Sequence, residues 1–187
     1  GGKVELVFLI DTSGSMSNEW ADVCTVVYGG NFNSGGHFSG IKPLLESANM
    51  TVYETIYALY TTWGGPSAMT SGNCAAHYKN GDGPRTSALG DGVDSGGIRW
   101  MNDAIYNGGT YISGEGEDWG PGTTWACLSW RDANGNVPGN PPTAADHKWN
   151  YNATKIILPV SDEGPFNGDE GSDSQYTTTI NEAHDSC

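Results

Sequence analysis

The chain has 187 residues, which suits one domain with room for a real hydrophobic core. Its 22 acidic residues against 8 basic ones give a formal net charge of −14, which argues against nucleic acid and against an anionic membrane surface as partners. Hydrophobic residues make up 36 % and glycine fills 28 positions, so the composition is globular but loop-rich, with no apolar run of membrane-spanning length and no signal-peptide pattern.

Residues 4–10 form an almost unbroken apolar run rich in β-branched and large side chains. Such a run reads as a strand buried on both faces, as in a parallel sheet. The next residues change sharply to a small, oxygen-rich loop in which Asp11, Ser13 and Ser15 alternate. In an extended loop all three oxygens aim at one point. A carboxylate with two hydroxyls is hard-cation chemistry, suited to Mg²⁺, Mn²⁺ or Ca²⁺. Trp20, Val23, Cys24, Val27 and Tyr28 then recur at helical spacing. Strand, ligand loop and helix follow in the order by which open α/β sheets place sites at the carboxyl ends of strands. Two plainer readings stand beside this one. One is a Ser/Gly turn with Ser17 as helix cap. The other is a phosphatase-like aspartyl nucleophile, which would want a second acid at position 13, where Ser13 stands.

Residues 29–36 are rich in Gly, Asn and Ser and read as a break. Helical spacing resumes at Ile41, Leu44, Leu45 and Ala48, with Pro43 near the start, where proline is tolerated. Residues 50–60 have strand composition and predict a second strand parallel to the first. An insertion of loops and short strands follows over about residues 62–114, with one short helix expected at 98–106. Its Asp82, Asp91 and Asp94 are candidates for an additional structural Ca²⁺, with solvated loop acids as the plainer reading. Residues 119–131 predict a helix with Thr123, Ala126, Cys127 and Trp130 on one face, Pro121 in the first turn and Asp118 as cap. Asp132, Asn134 and Asn136 are spaced like the start of a calcium loop, but the glycine is misplaced and no Glu closes it, so a polar connector is the default. Residues 154–160 are a second buried-strand run, ending at Ser161 and Asp162, and residues 174–183 predict a last helix.

Cys24, Cys74, Cys127 and Cys187 lack C-x-x-C spacing, which argues against zinc and for two disulfides, with three pairings open. Asn49 and Asn152 each head an N-glycosylation acceptor triplet. Together with the cysteines and the scarcity of lysine they point to an extracellular or cell-surface setting. His37, His77, His147 and His184 are scattered, none beside a Ser or Cys in a recognisable motif, and read as surface or turn residues. With no nucleophile placed beside a base, the sequence does not read as an enzyme.

The Asp11-x-Ser13-x-Ser15 pattern resembles the Asp-x-Ser-x-Ser signature of von Willebrand factor type A domains, including integrin inserted domains, where it opens a metal-ion-dependent adhesion site. Ser161-Asp162 resembles the Ser/Thr-Asp-Gly motif that ends the fourth strand of those domains, with Glu163 inserted before Gly164. The resemblance covers residues 3–61 and 115–187. It implies a single α/β domain over residues 1–187, with a doubly wound, mainly parallel sheet, helices on both faces and an antiparallel edge strand within the insertion. It implies a cation held by Asp11, Ser13, Ser15 and Asp162, with Mg²⁺ preferred and Ca²⁺ or Mn²⁺ as alternatives. The third-loop ligand of the family is usually Thr, and Glu in integrin β-type domains. Glu117 is preferred here for its five-residue offset to Gly122, with Asp118 second and Thr123 third.

The function implied is extracellular, metal-dependent adhesion to a protein ligand that offers a carboxylate to the metal. Type A domains normally continue for two more strands and a helix, so an open sheet edge is expected beside residues 154–160. The alternative function is therefore a structural subunit of a surface filament or pilus tip, completed by strands from another segment or a neighbouring subunit. In the expected topology the first helix and the 119–131 helix lie on opposite sheet faces. A Cys24–Cys127 bond cannot pass through the sheet, so Cys127 is expected to pair with Cys74 or Cys187.

Overall fold

The structure, a computed structural model, describes residues 1–59, 72–82, 97–101, 119–129, 147–150, 152–165 and 172–187. In chain order the strands are β1 (Lys3–Asp11), β2 (Gly30–Asn31), β3 (His37–Phe38), β4 (Thr51–Leu59), β5 (Tyr78–Asp82), β6 (Gly97–Met101) and β7 (Thr154–Val160). The helices are α1 (Trp20–Tyr28), α2 (Ile41–Ser47), α3 (Trp119–Leu128) and α4 (Asp173–Ser186). Five strands form one sheet in the order β5-β6-β4-β1-β7, and every pairing in it is parallel. With helices against the sheet, this is an α/β fold of the Rossmann-like type.

The N-terminal apolar run becomes the middle of this sheet because both of its faces find cover. Val4, Leu6, Phe8 and Ile10 pack with Met16, Trp20, Cys24 and Val27 on the α1 side. Val7 and Leu9 pack with Trp125, Ala126 and Trp149 on the α3 side. Each such buried aliphatic or aromatic side chain contributes about 1.5–3 kcal/mol. Helix α3 is buried nearly all round, with Gly120, Pro121, Gly122, Trp125, Ala126 and Cys127 inside, which is why its sequence carries no one-sided apolar stripe. Helix α4 starts from a complete capping box between Ser172 and Gln175.

One expectation is corrected. Residues 97–101 are strand β6, paired with β4, and not the start of a helix. The Gly97–Met101 segment is short and carries Ile98 and Trp100, residues that suit a pleated surface beside a central strand. The remainder of that predicted helix lies outside the described residues. The described strands of the insertion, β5 and β6, are parallel to their neighbours, so neither is the antiparallel edge strand expected; the rest of the insertion lies outside the described residues. The break at 29–36 does separate α1 from α2, and the chain between them forms a small hairpin of β2 and β3. Its base needs glycine: Gly29 and Gly40 have φ of +89° and +87°, and a Cβ on Gly40 would stand 2.4 Å from Gly29 N.

Disulfides join Cys24 to Cys74 and Cys127 to Cys187, with Cα–Cα distances of 5.4 and 4.8 Å. Cys127 thus takes one of its two expected partners, and α1 and α3 do lie against opposite faces of β1. Closing loops of 50 and 60 residues is worth about 4 kcal/mol each in the chain-entropy picture. No helix among the described residues is long and apolar enough to cross a membrane.

Candidate metal centre

Strands β1 and β7 are parallel neighbours with Ile10 opposite Val160, so both chains leave the sheet side by side. The residues that follow are Asp11 to Ser15 on one strand and Ser161 to Asp162 on the other. Asp11 is fully buried. Its Oδ1 accepts the Ser13 backbone N–H at 2.7 Å and its Oδ2 accepts the Ser161 hydroxyl at 2.8 Å. The Trp20 indole N–H, at the start of α1, donates to the Asp11 carbonyl at 3.2 Å. Thr12 turns the other way and donates its hydroxyl to the Leu59 carbonyl of β4. That alternation brings Ser13 and Ser15 together, with their hydroxyl oxygens 2.8 Å apart. Ser15 in turn donates to Asp162 Oδ1 at 3.2 Å. Four of the five expected ligands, Asp11, Ser13, Ser15 and Asp162, therefore gather in one hydrogen-bonded group. Ser15–Asn18 form a 3-10 turn, so Ser17 lies inside it; the cap of α1 is Glu19, without a side-chain cap bond.

Burial pushes the Asp11 carboxyl above its ordinary range; the hydrogen bonds from Ser13 and Ser161 pull it back in part, and Asp162 adds to the rise. A desolvated carboxylate beside a second carboxylate and two hydroxyls is a donor set for a hard divalent cation. Among the described residues no three His, Cys, Asp or Glu side chains group to hold a metal, so within them the donor set mixes carboxylates with hydroxyls.

The start of α3 is tied to the loop after β7. The Trp119 indole N–H donates to the Glu163 carbonyl at 3.1 Å, and the Gly120 N–H donates to the Pro165 carbonyl at 2.9 Å. A Cβ on Gly120 would stand 2.7 Å from Pro165 O and 2.3 Å from Thr179 Cγ2, so only glycine permits this approach. Residue 119 is thereby anchored beside the Asp162 loop. Glu117 and Asp118, just before it, lie outside the described residues. Thr123 is not brought to the group: its hydroxyl donates back to the Trp119 carbonyl at 2.8 Å within the helix. Of the candidates for additional calcium, Asp82 ends β5, while Asp91, Asp94 and residues 132–136 lie outside the described residues. Asn49 and Asn152 are both exposed.

His147 corrects the expectation of a surface or turn histidine. It is fully buried, with Nε2 at 2.9 Å from Glu5 Oε1 and Nδ1 bonded to the Tyr57 hydroxyl. Glu5 Oε2 accepts the Asn150 N–H at 2.5 Å, and the imidazole stands edge-on to Trp149. The signal in the sequence was Glu5 itself: an acid inside a two-face-buried strand needs a partner.

No protein-family model, curated protein or solved structure matches the chain.

Proposed function

We propose that the loops after β1 and β7 hold one divalent cation and that the protein is an extracellular, metal-dependent adhesion or protein-binding module. The observation that carries this reading is the Ser15–Asp162 hydrogen bond of 3.2 Å, between residues 147 positions apart. Two motifs that separately suggest a cation loop meet at one point. Asp11, Ser13, Ser15 and Asp162 would supply ligand oxygens, with the Asp11 carboxylate oriented by Ser13 and Ser161. Glu117 is the fifth ligand in this reading, direct or through water. A bound Mg²⁺, with Mn²⁺ or Ca²⁺ as alternatives, would offer an exchangeable position to a carboxylate of the partner protein. Two disulfides and two exposed asparagines that head glycosylation triplets support the extracellular setting. Calorimetric titration of wild type and Asp11→Ala with Mg²⁺ and Mn²⁺ tests the site. Cation binding in the wild type that Asp11→Ala abolishes is expected; identical behaviour of the two overturns the reading.

One observation favours a second reading, a structural subunit of a surface filament. Among the described strands β7 has a neighbour on one side only, and its Ile156 is 39 % exposed. Open strand edges invite pairing with another chain. Cation-independent polymers in light scattering would favour this reading over the first.

A further inference from the structure

The loop that presents Asp162 is held by two helices. On the α3 side, the Glu163 and Pro165 carbonyls accept the Trp119 indole N–H at 3.1 Å and the Gly120 N–H at 2.9 Å. On the α4 side, the loop meets an aromatic ring. A methyl group on Gly164 would stand 2.6 to 2.7 Å from Cζ, Cε1 and Oη of Tyr176. That is well inside the separation of about 3.5–4.0 Å at which carbon atoms pack, so the ring lies directly against the Gly164 backbone. Gly164 does not have a positive φ, so its backbone would accept another residue. The Tyr176 ring occupies the space its side chain would need.

One face of α4 reaches both the loop and the start of α3. Thr179 follows Tyr176 by three residues, which places the two on the same side of the helix. A Cβ on Gly120 would stand 2.3 Å from Thr179 Cγ2. Thr179 and Ala183 are buried and continue the stripe. The helix is braced at both ends. The Ser172–Gln175 capping box fixes its first turn, and the Tyr176 N–H donates to the Ser172 carbonyl at 3.0 Å. The Cys127–Cys187 disulfide ties its last turn to α3. Asp162, two residues before Gly164, is itself exposed, so burial does not fix its position. A ligand oxygen must nevertheless be held to within about 0.5 Å, and its neighbours in the loop have to supply that precision.

We propose that Tyr176 is a positioning residue for the cation site, its ring against Gly164 setting where the Asp162 carboxylate stands. The proposal rests on the cation reading and adds to it the helix that governs the loop.

Titration with Mn²⁺ of the unaltered protein and of Tyr176→Ala, Tyr176→Phe, Gly164→Ala and Ile180→Ala tests it, together with hydrogen exchange at the Glu163 N–H on cation-free protein. Tyr176→Ala should weaken Mn²⁺ binding by about tenfold, the low end for a lost outer support. Tyr176→Phe should keep the affinity, because ring carbons make the contact. Ile180→Ala, at a side chain 48 % exposed on the same helix, should be silent. Gly164→Ala should weaken binding by itself but add little in the Tyr176→Ala background, where its methyl has room. That non-additivity marks direct contact, which a general loss of stability does not produce. The Glu163 N–H should exchange faster in Tyr176→Ala. Unchanged Mn²⁺ affinity in Tyr176→Ala, a Tyr176→Phe variant as weak as Tyr176→Ala, or additive effects of Gly164→Ala and Tyr176→Ala overturn the proposal while the cation reading stands. An unaltered protein that binds no Mn²⁺ overturns the cation reading and this role with it, and the exchange rates then show separately whether Tyr176 holds the loop.

Discussion

The Ser161 hydroxyl donates a 2.8 Å hydrogen bond to Asp11 Oδ2, joining residues 150 positions apart in the chain. Ser161 also accepts the Glu163 N–H at 2.9 Å, so one hydroxyl fixes both the buried carboxylate and the turn that presents Asp162. In the proposed cation site it would stand as a support behind the ligand oxygens. Losing such outer partners typically costs 10- to 100-fold in metal affinity. Ser161→Ala should therefore weaken Mn²⁺ binding by about tenfold and lower folding stability by only about 1 kcal/mol. Titration calorimetry and urea unfolding measure the two. An unchanged affinity would mean that the Ser13 N–H alone holds Asp11 in place.

The third-loop ligand gives a sharper contrast. Residue 119 is tied to Glu163 and Gly120 to Pro165, which anchors the chain next to the Asp162 loop two residues after Glu117. Glu117→Ala should weaken cation binding by more than a surface change would, which usually stays within about 0.5 kcal/mol. Thr123→Ala should be silent for the cation, since the Thr123 hydroxyl is taken by the Trp119 carbonyl at 2.8 Å. The reverse pattern in the titrations would assign the Thr-type site, and silence at both positions would leave the centre to the Asp11 and Asp162 loops.

The sheet and much of the candidate centre were legible in the sequence for a physical reason. A strand covered on both faces must be apolar at consecutive positions, and residues 4–10 show this and are buried. Residues 154–160, expected to be a buried strand as well, form the edge strand β7, which has no buried residue, so its apolar run did not signal cover on both faces. Both runs turn abruptly to Asp and Ser at their ends. Parallel pairing in register then brings the two loops together, which the order of the motifs already required. What stayed hidden was set by long-range contact. Strand β6 holds five residues and gains its shape from β4, so local spacing misassigned it. His147 has no neighbour in sequence that reveals its partner, because Glu5 stands 142 positions away.

The buried Glu5–His147 pair sets up a test of stability. Both side chains are fully inside, and Tyr57 and Asn150 complete the hydrogen bonds. Removing one partner of such a pair leaves an uncompensated polar or charged group and usually costs about 3–5 kcal/mol. His147→Leu should lose stability on that scale in urea unfolding. Adding Glu5→Leu to His147→Leu should recover part of the loss, because an apolar pair leaves no orphaned carboxylate. A double variant less stable than His147→Leu alone would show that Glu5 draws its main support from Asn150 instead.

The two disulfides should differ in how readily they open. Cys24 and Cys74 are both fully buried between α1 and the 3-10 turn at Gly72–His77, whereas Cys187 is exposed at the end of α4. Exchange needs a thiolate to reach a sulfur, so access decides the order. Brief treatment with dithiothreitol, alkylation and peptide mapping should label Cys127 and Cys187 well before Cys24 and Cys74. Opening that link frees the last turn of α4 but leaves β1 and β7 paired, since they are joined through Val4–Ile10 against Thr154–Val160. The partially reduced protein should therefore keep its cation binding while unfolding at a lower urea concentration, by up to about 4 kcal/mol of stability. Labelling of Cys24 and Cys74 first would show that the α1 side opens before the C-terminal turn does. Cation binding lost together with the Cys127–Cys187 link would show that α3, through Trp119 and Gly120, holds the Asp162 loop more firmly than β7 does.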